Sequence, residues 1–178
     1  MKSDVIMIDN SGLGYEEAAK QTQKVAAYNG IGGMEAIELQ ALTEEMLSLA
    51  QSMTGKMEAS FWIEMEGGRA ELHMTTKANL DKEKRAELIA SATSRKNEAA
   101  KSFLGMIRDR IETAMAAEPV HMDVPNDLLA DLPHGIFEEP GWDGYERSIL
   151  RKLSDDVKVW IYGDTVEIKV TKDFGKKA

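Results

Sequence analysis

The chain contains no cysteine, so disulfides, thiolate metal sites and cysteine nucleophiles are excluded outright. Proline is confined to one window, at Pro119, Pro125, Pro133 and Pro140, which leaves the remainder free to form regular elements. No long hydrophobic run occurs. The opening apolar stretch, Val5 to Ile8, lies between Asp4 and Asp9 and is too short for a signal peptide or a membrane span. Positive charge is also scarce: 22 Lys and Arg stand against 31 Asp and Glu, for a net charge of -9. That balance argues against a broad contact with nucleic-acid phosphates, which need clustered cations. A cytoplasmic protein with neither membrane nor nucleic-acid partners is the expectation. An acidic surface suits solubility or docking to a basic protein.

What is present reads as one globular domain spanning 1–178. Its 43% hydrophobic residues are enough to bury a core without staples. Val5 to Ile8 reads as a short strand. Tyr15 to Tyr28 reads as a helix, with Ala18, Ala19, Thr22, Val25 and Ala26 at helical spacing, ended by Gly30, Gly32 and Gly33. A longer helix runs from about Met34 to Met53 along the stripe Leu39, Leu42, Met46, Leu49, Ala50 and Met53.

Two alternating runs follow, Ala59-Phe61-Ile63-Met65 and Ala70-Leu72-Met74, with Gly67-Gly68 between them as a hairpin signal. A second hairpin closes the chain: Val157, Val159 and Ile161 lead to a turn at Gly163-Asp164, and Val166, Ile168 and Val170 return. The expected fold is therefore α+β, a two-layer sandwich of about five mainly antiparallel strands with helices on one face. From Asp81 to Glu118 the sequence favours helix throughout, with a break expected near Thr93 to Asn97, where Ser94 or Asn97 would cap a new start. The second part of that region is amphipathic from Ala100 to Met115, and an irregular acidic loop follows. A last helix is expected from about Tyr145 to Leu153.

Two stretches carry a family likeness. One is Leu42-Thr-Glu-Glu-Met-Leu-Ser-Leu-Ala-Gln51 on the long helix; the other is Ser148-Ile-Leu-Arg-Lys-Leu-Ser-Asp-Asp-Val157 with the hairpin after it. Together with the element order, they resemble the GHKL superfamily of histidine kinase-like ATPases (the Bergerat fold), in particular the anti-sigma-factor serine kinases. The likeness spans roughly residues 4–80 and 141–174, and residues 81–140 look like an enlarged helical and acidic-loop lid.

The resemblance implies a nucleotide pocket at Glu44, Ser48, Thr76 and Gly144, and each position but the first departs from the family pattern or its setting. Glu44 falls on the base position, whereas Ser48 stands where the family has a magnesium-binding Asn. Thr76 replaces the Asp that accepts from the adenine amino group, with Ala78 at a neighbouring glycine. Gly144 aligns with the phosphate loop, but Glu146 replaces its next glycine and would repel phosphate. The implication is a regulatory protein resembling an anti-sigma factor, acting by protein–protein binding with a degenerate pocket and no cofactor. Sigma factors or anti-sigma antagonists are the family's partners, and homodimers are common. The alternatives are an ATP/Mg-dependent serine kinase with Glu44 as the catalytic base, or a sensor that reuses the pocket for another small ligand.

Other candidate chemistry is thinner. Glu44 and Glu45 point about 100° apart on a helix and so do not share one site. His73, His121 and His134 lack metal-ligand spacing. Ser94 to Asn97 offers either an anion site at a helix start or a plain polar connection. Trp62 and Trp160 fall opposite the apolar alternation of their strands. That makes them either a partner surface or residues packed beneath the lid.

Overall fold

The computed structural model describes residues 1–9, 11–53, 58–101 and 146–175. The amphipathic stretch from Phe103 to Met115, the proline-rich acidic loop and Gly144 lie outside the described residues.

The described residues form five strands and four α-helices. In chain order these are β1 (Ile6–Asp9), α1 (Tyr15–Tyr28), α2 (Gly33–Met53), β2 (Glu58–Glu66), β3 (Arg69–Lys77), α3 (Lys82–Ser91), α4 (Glu146–Leu153), β4 (Asp156–Tyr162) and β5 (Thr165–Asp173), with a 3-10 turn at Glu98–Lys101 before α4. All pairings are antiparallel, in the order β1-β2-β3-β5-β4. The expected α+β class and the five-stranded antiparallel sheet are as read. The first strand lies one residue later than expected, at Ile6–Asp9. The break in the helix-forming region falls at Ala92 to Asn97, where α3 has ended.

Register decides which side of the sheet each residue serves. Phe61, Met74, Ile168 and Val159 stand opposite one another across four strands, and so do Ile63, Leu72, Val170 and Val157. All eight are buried, and they form one cluster with Ala18, Val25, Leu39, Leu42, Met46, Leu88 and Leu150 of the helices. The helices therefore cover this apolar face. Full burial of each Leu, Ile or Phe contributes roughly 2 kcal/mol of transfer free energy.

The two leading helices form an antiparallel pair. Thr22 and Thr43, both buried, meet with their hydroxyl oxygens 3.1 Å apart, and Gln23 bonds Gln40 nearby. The β2–β3 hairpin turns on Gly67 and Gly68, both at positive φ (57° and 82°), as a two-residue turn matched to strand twist requires.

Neighbouring segments reach part of each outer edge of the sheet. On β1, the Asp9 N–H bonds the Leu13 carbonyl, and Gly14 lies so close to the Met7 carbonyl that a Cβ there would stand 2.2 Å from its oxygen. On β4, the segment after α3 supplies the missing partners. The Thr93 N–H donates to the Val157 carbonyl, and the Thr93 hydroxyl accepts from the Val157 N–H. The Asn97 side chain donates to the Ile161 carbonyl at 3.2 Å and accepts from the Ile161 N–H at 3.0 Å, so one amide stands in for a strand residue. Among the described residues, no helix is long and apolar enough to cross a membrane.

Candidate functional site

The residues singled out from the sequence come from two elements. Glu44 and Ser48 sit four residues apart on α2, both exposed, and the Glu44 carboxylate accepts from the Gln40 amide at 2.9 Å. They lie outside the buried stripe of that helix, formed by Leu39, Leu42, Thr43, Met46 and Leu47.

Thr76 is on β3 in the row Ala59-Thr76-Val166-Ile161, which faces the helical layer. It is 2% exposed, and its hydroxyl donates to the Glu58 carbonyl at 3.1 Å. Ala78 beside it is also buried, its N–H bonded to the Asp164 carbonyl. Glu44 and Ser48 thus share an exposed surface, whereas Thr76 sits within the core with its hydrogen bonded internally.

The segment from Ser94 to Asn97 serves the sheet edge. Asn97 also accepts from the Ala99 N–H and so caps the 3-10 turn, while the Ser94 hydroxyl bonds Glu98. A polar connection with a structural task accounts for these contacts.

The face of the sheet that no described helix covers carries more polar structure than its sequence advertises. Three cross-strand rows cover it: Glu64-Glu71-Thr171-Asp156, Trp62-His73-Lys169-Lys158 and Ser60-Thr75-Glu167-Trp160. Trp62 and His73 stack with ring centroids 4.8 Å apart and planes 3° from parallel. The Trp62 indole N–H donates to Glu64, which also pairs with Lys2 at 2.8 Å, and the Lys2 ammonium stands 5.1 Å from the indole centroid. Hydrogen bonds from Lys2 and then Trp62 hold the Glu64 carboxyl below the usual carboxylate range.

Burial pushes the His73 imidazole below its ordinary pKa, against the smaller opposing pull of Glu64 and Glu71. The 3.6 Å approach of His73 Nε2 to Glu71 is therefore a contact of a neutral ring at pH 7 rather than an ion pair. Glu71 is instead paired with Lys169 and Arg69. Both tryptophans are half-buried on this face. His73, set aside on metal-ligand spacing, was findable by another route. It lies five residues beyond Gly68, and Trp62 lies five before Gly67, which puts them opposite each other across the hairpin.

An open cleft of about 650 Å³ lies at the hairpin end of this face, among Lys2, Glu64, Glu66, Arg69 and Glu71. No group of three or more His, Asp or Glu suited to a metal ion occurs among the described residues.

A different surface is apolar and open. Met34 is 69% exposed and Ile37 62% exposed on the first turns of α2, and Tyr28 at the end of α1 is 78% exposed. Met34 and Ile37 lie one turn apart and so expose neighbouring apolar side chains on one face of the helix. No family model matches the chain, and no curated protein matches it.

Proposed function

We propose that this protein is a regulatory binding domain of the anti-sigma-factor type, acting in the cytoplasm by contact with another protein, its nucleotide pocket degenerate. The observation that carries this reading is the state of Thr76. In the family it resembles, this position faces the helical layer and accepts a hydrogen bond from adenine. Here the side chain is sealed at 2% exposure and its hydroxyl is directed at Glu58. Ser48 lies where a magnesium ligand is needed, and its short hydroxyl is a poor substitute for an amide oxygen. Exposed Met34 and Ile37 supply an apolar surface of the kind a protein partner needs.

Thermal unfolding with and without excess Mg-ATP tests the reading. A nucleotide held at about a hundred times its dissociation constant adds about 2.7 kcal/mol of stability. The expected result is an unchanged midpoint at millimolar Mg-ATP and Mg-ADP. A nucleotide-dependent rise of that size would overturn the degenerate-pocket reading.

A further inference from the structure

We propose that the solvent-facing stripe of α2 is the docking site for a basic amphipathic helix of a partner protein. The inference rests on the protein-binding reading above and names the chemistry of the partner. Met34, Ile37, Ala41, Glu44 and Ser48 recur at steps of three and four residues, so they form one straight line along the helix. Its first half is apolar and its second half polar. Met34 and Ile37 are among the most exposed large hydrophobics in the described chain, and they lie one turn apart, the spacing at which a helix reads another helix.

Charge chooses the occupant. On its exposed surface α2 carries Glu35 and Glu44 and no lysine or arginine, whereas Glu38 is already paired with Lys172 of β5. A second copy of this stripe would set Glu44 against Glu44 when parallel and Glu44 against Met34 when antiparallel. Like charges across an interface are repulsive, and complementary ones both steer and orient a partner. The fitting occupant carries leucine-like side chains on one face, flanked by lysine or arginine.

The test uses the full 15N-labelled chain and two synthetic probes of about 18 residues, long enough for several helical turns. One has leucine at helical spacing with lysine elsewhere; the other replaces every lysine by glutamate. Chemical-shift mapping at moderate salt is expected to place the lysine peptide on amides from Met34 to Ser48, with no binding of the glutamate peptide. The Met34→Ser/Ile37→Ser double variant is expected to weaken binding by roughly tenfold or more, as loss of apolar anchors does. Glu44→Lys is expected to weaken it further in low salt than in high salt. Glu167→Lys on β5, exposed on the opposite side of the sheet, serves as the charge control and should leave affinity within about twofold.

The proposal is overturned if the lysine peptide maps to the face of the sheet that no described helix covers, if the double variant binds undiminished, if both peptides bind alike, or if neither binds. The first of these outcomes would leave the protein-binding reading intact. A stabilising nucleotide would overturn that reading without moving the peptide result.

Discussion

The imidazole of His73 lies flat on the indole of Trp62, one strand away, with the two planes 3° from parallel. The pairing follows from register: the two positions face each other across the β2–β3 hairpin, on the side of the sheet that no described helix covers. A stack of this kind contributes about 1 kcal/mol beyond the area it buries. It also ties a titratable ring to a fluorophore, which makes its protonation measurable.

Because burial lowers the His73 pKa, the unfolded chain binds a proton more readily than the folded one in the interval below the ordinary value of 6.5. Stability from this residue is therefore complete above pH 6.5 and declines as pH falls toward the lowered folded value. The groups facing the ring are Glu64, Glu71, Lys169 and Lys2. His73→Phe keeps a stacking ring and removes the titration. Its melting temperature should fall less than that of the parent between pH 7 and pH 5. NMR titration of the His73 ring should give a midpoint below 6.5, and one at or above that value would refute the assignment.

Asn97 is predicted to be the weak point of the β4 edge. It is 5% exposed and holds both backbone groups of Ile161. Asn97→Ala leaves a buried N–H and C=O unpaired, each costing about 1–3 kcal/mol. It also uncovers a strand edge open to pairing with other chains. Urea unfolding should show a lower midpoint with little change in slope, and light scattering should report association on warming. Asn97→Asp sets a buried carboxylate oxygen against the Ile161 carbonyl, so at pH 7 its midpoint should be no higher than that of Asn97→Ala.

Gly12 and Gly14 differ in surroundings although both have positive φ, 85° and 91°. A Cβ at Gly14 would meet the Met7 carbonyl oxygen, whereas one at Gly12 would meet nothing within 4 Å. Gly12→Ala should cost about 1–2 kcal/mol, the penalty of the left-handed backbone alone. Gly14→Ala must also displace β1, and its cost should exceed that of Gly12→Ala by at least about 1 kcal/mol. Equal unfolding free energies for the two variants would show that the edge of β1 yields freely.

Thr22 and Thr43 form the polar contact inside the α1–α2 pair. Each hydroxyl also reaches the carbonyl four residues earlier, of Ala18 and Leu39 respectively. Replacing either with Val strands part of the network and should cost about 1 kcal/mol. Replacing both leaves an apolar contact of similar shape, so the double variant should be less destabilised than the sum of the singles. Strict additivity would mean that the two hydroxyls do not interact.

Much of the fold was legible because its signals are local. Strict alternation at Ala59 to Met65 and Ala70 to Met74, around two glycines, specifies a hairpin and its buried face before any tertiary contact is known. Leu39, Leu42 and Met46 of the α2 stripe were read in the same way, Leu49 is half-buried, and the side chains of Ala50 and Met53 lie outside the described residues; Thr43 and Leu47 are buried beside the stripe. The edge cap on β4 was not legible, since Asn97 and Ile161 are separated by 64 positions and no periodicity links a loop amide to a strand. Of the candidate site, Glu44 and Ser48 could be assigned to one helix face. Burial of Thr76 could not be read, because alternation predicts which side a residue takes and not how deeply neighbours seal it.

Taken alone, the sequence determined the kinds of element, their order, the two hairpins and the acidity of α2, all of which depend on residues within a few positions of one another. Tertiary structure decided the strand order β1-β2-β3-β5-β4, the capping of Val157 and Ile161 on the β4 edge, the stacking of His73 on Trp62 and the exposure of Met34 and Ile37. The reason is physical. Periodicity fixes the direction of a side chain relative to its own backbone, whereas burial and pairing depend on which distant surface packs against it, and that is set only when the whole chain condenses around one core.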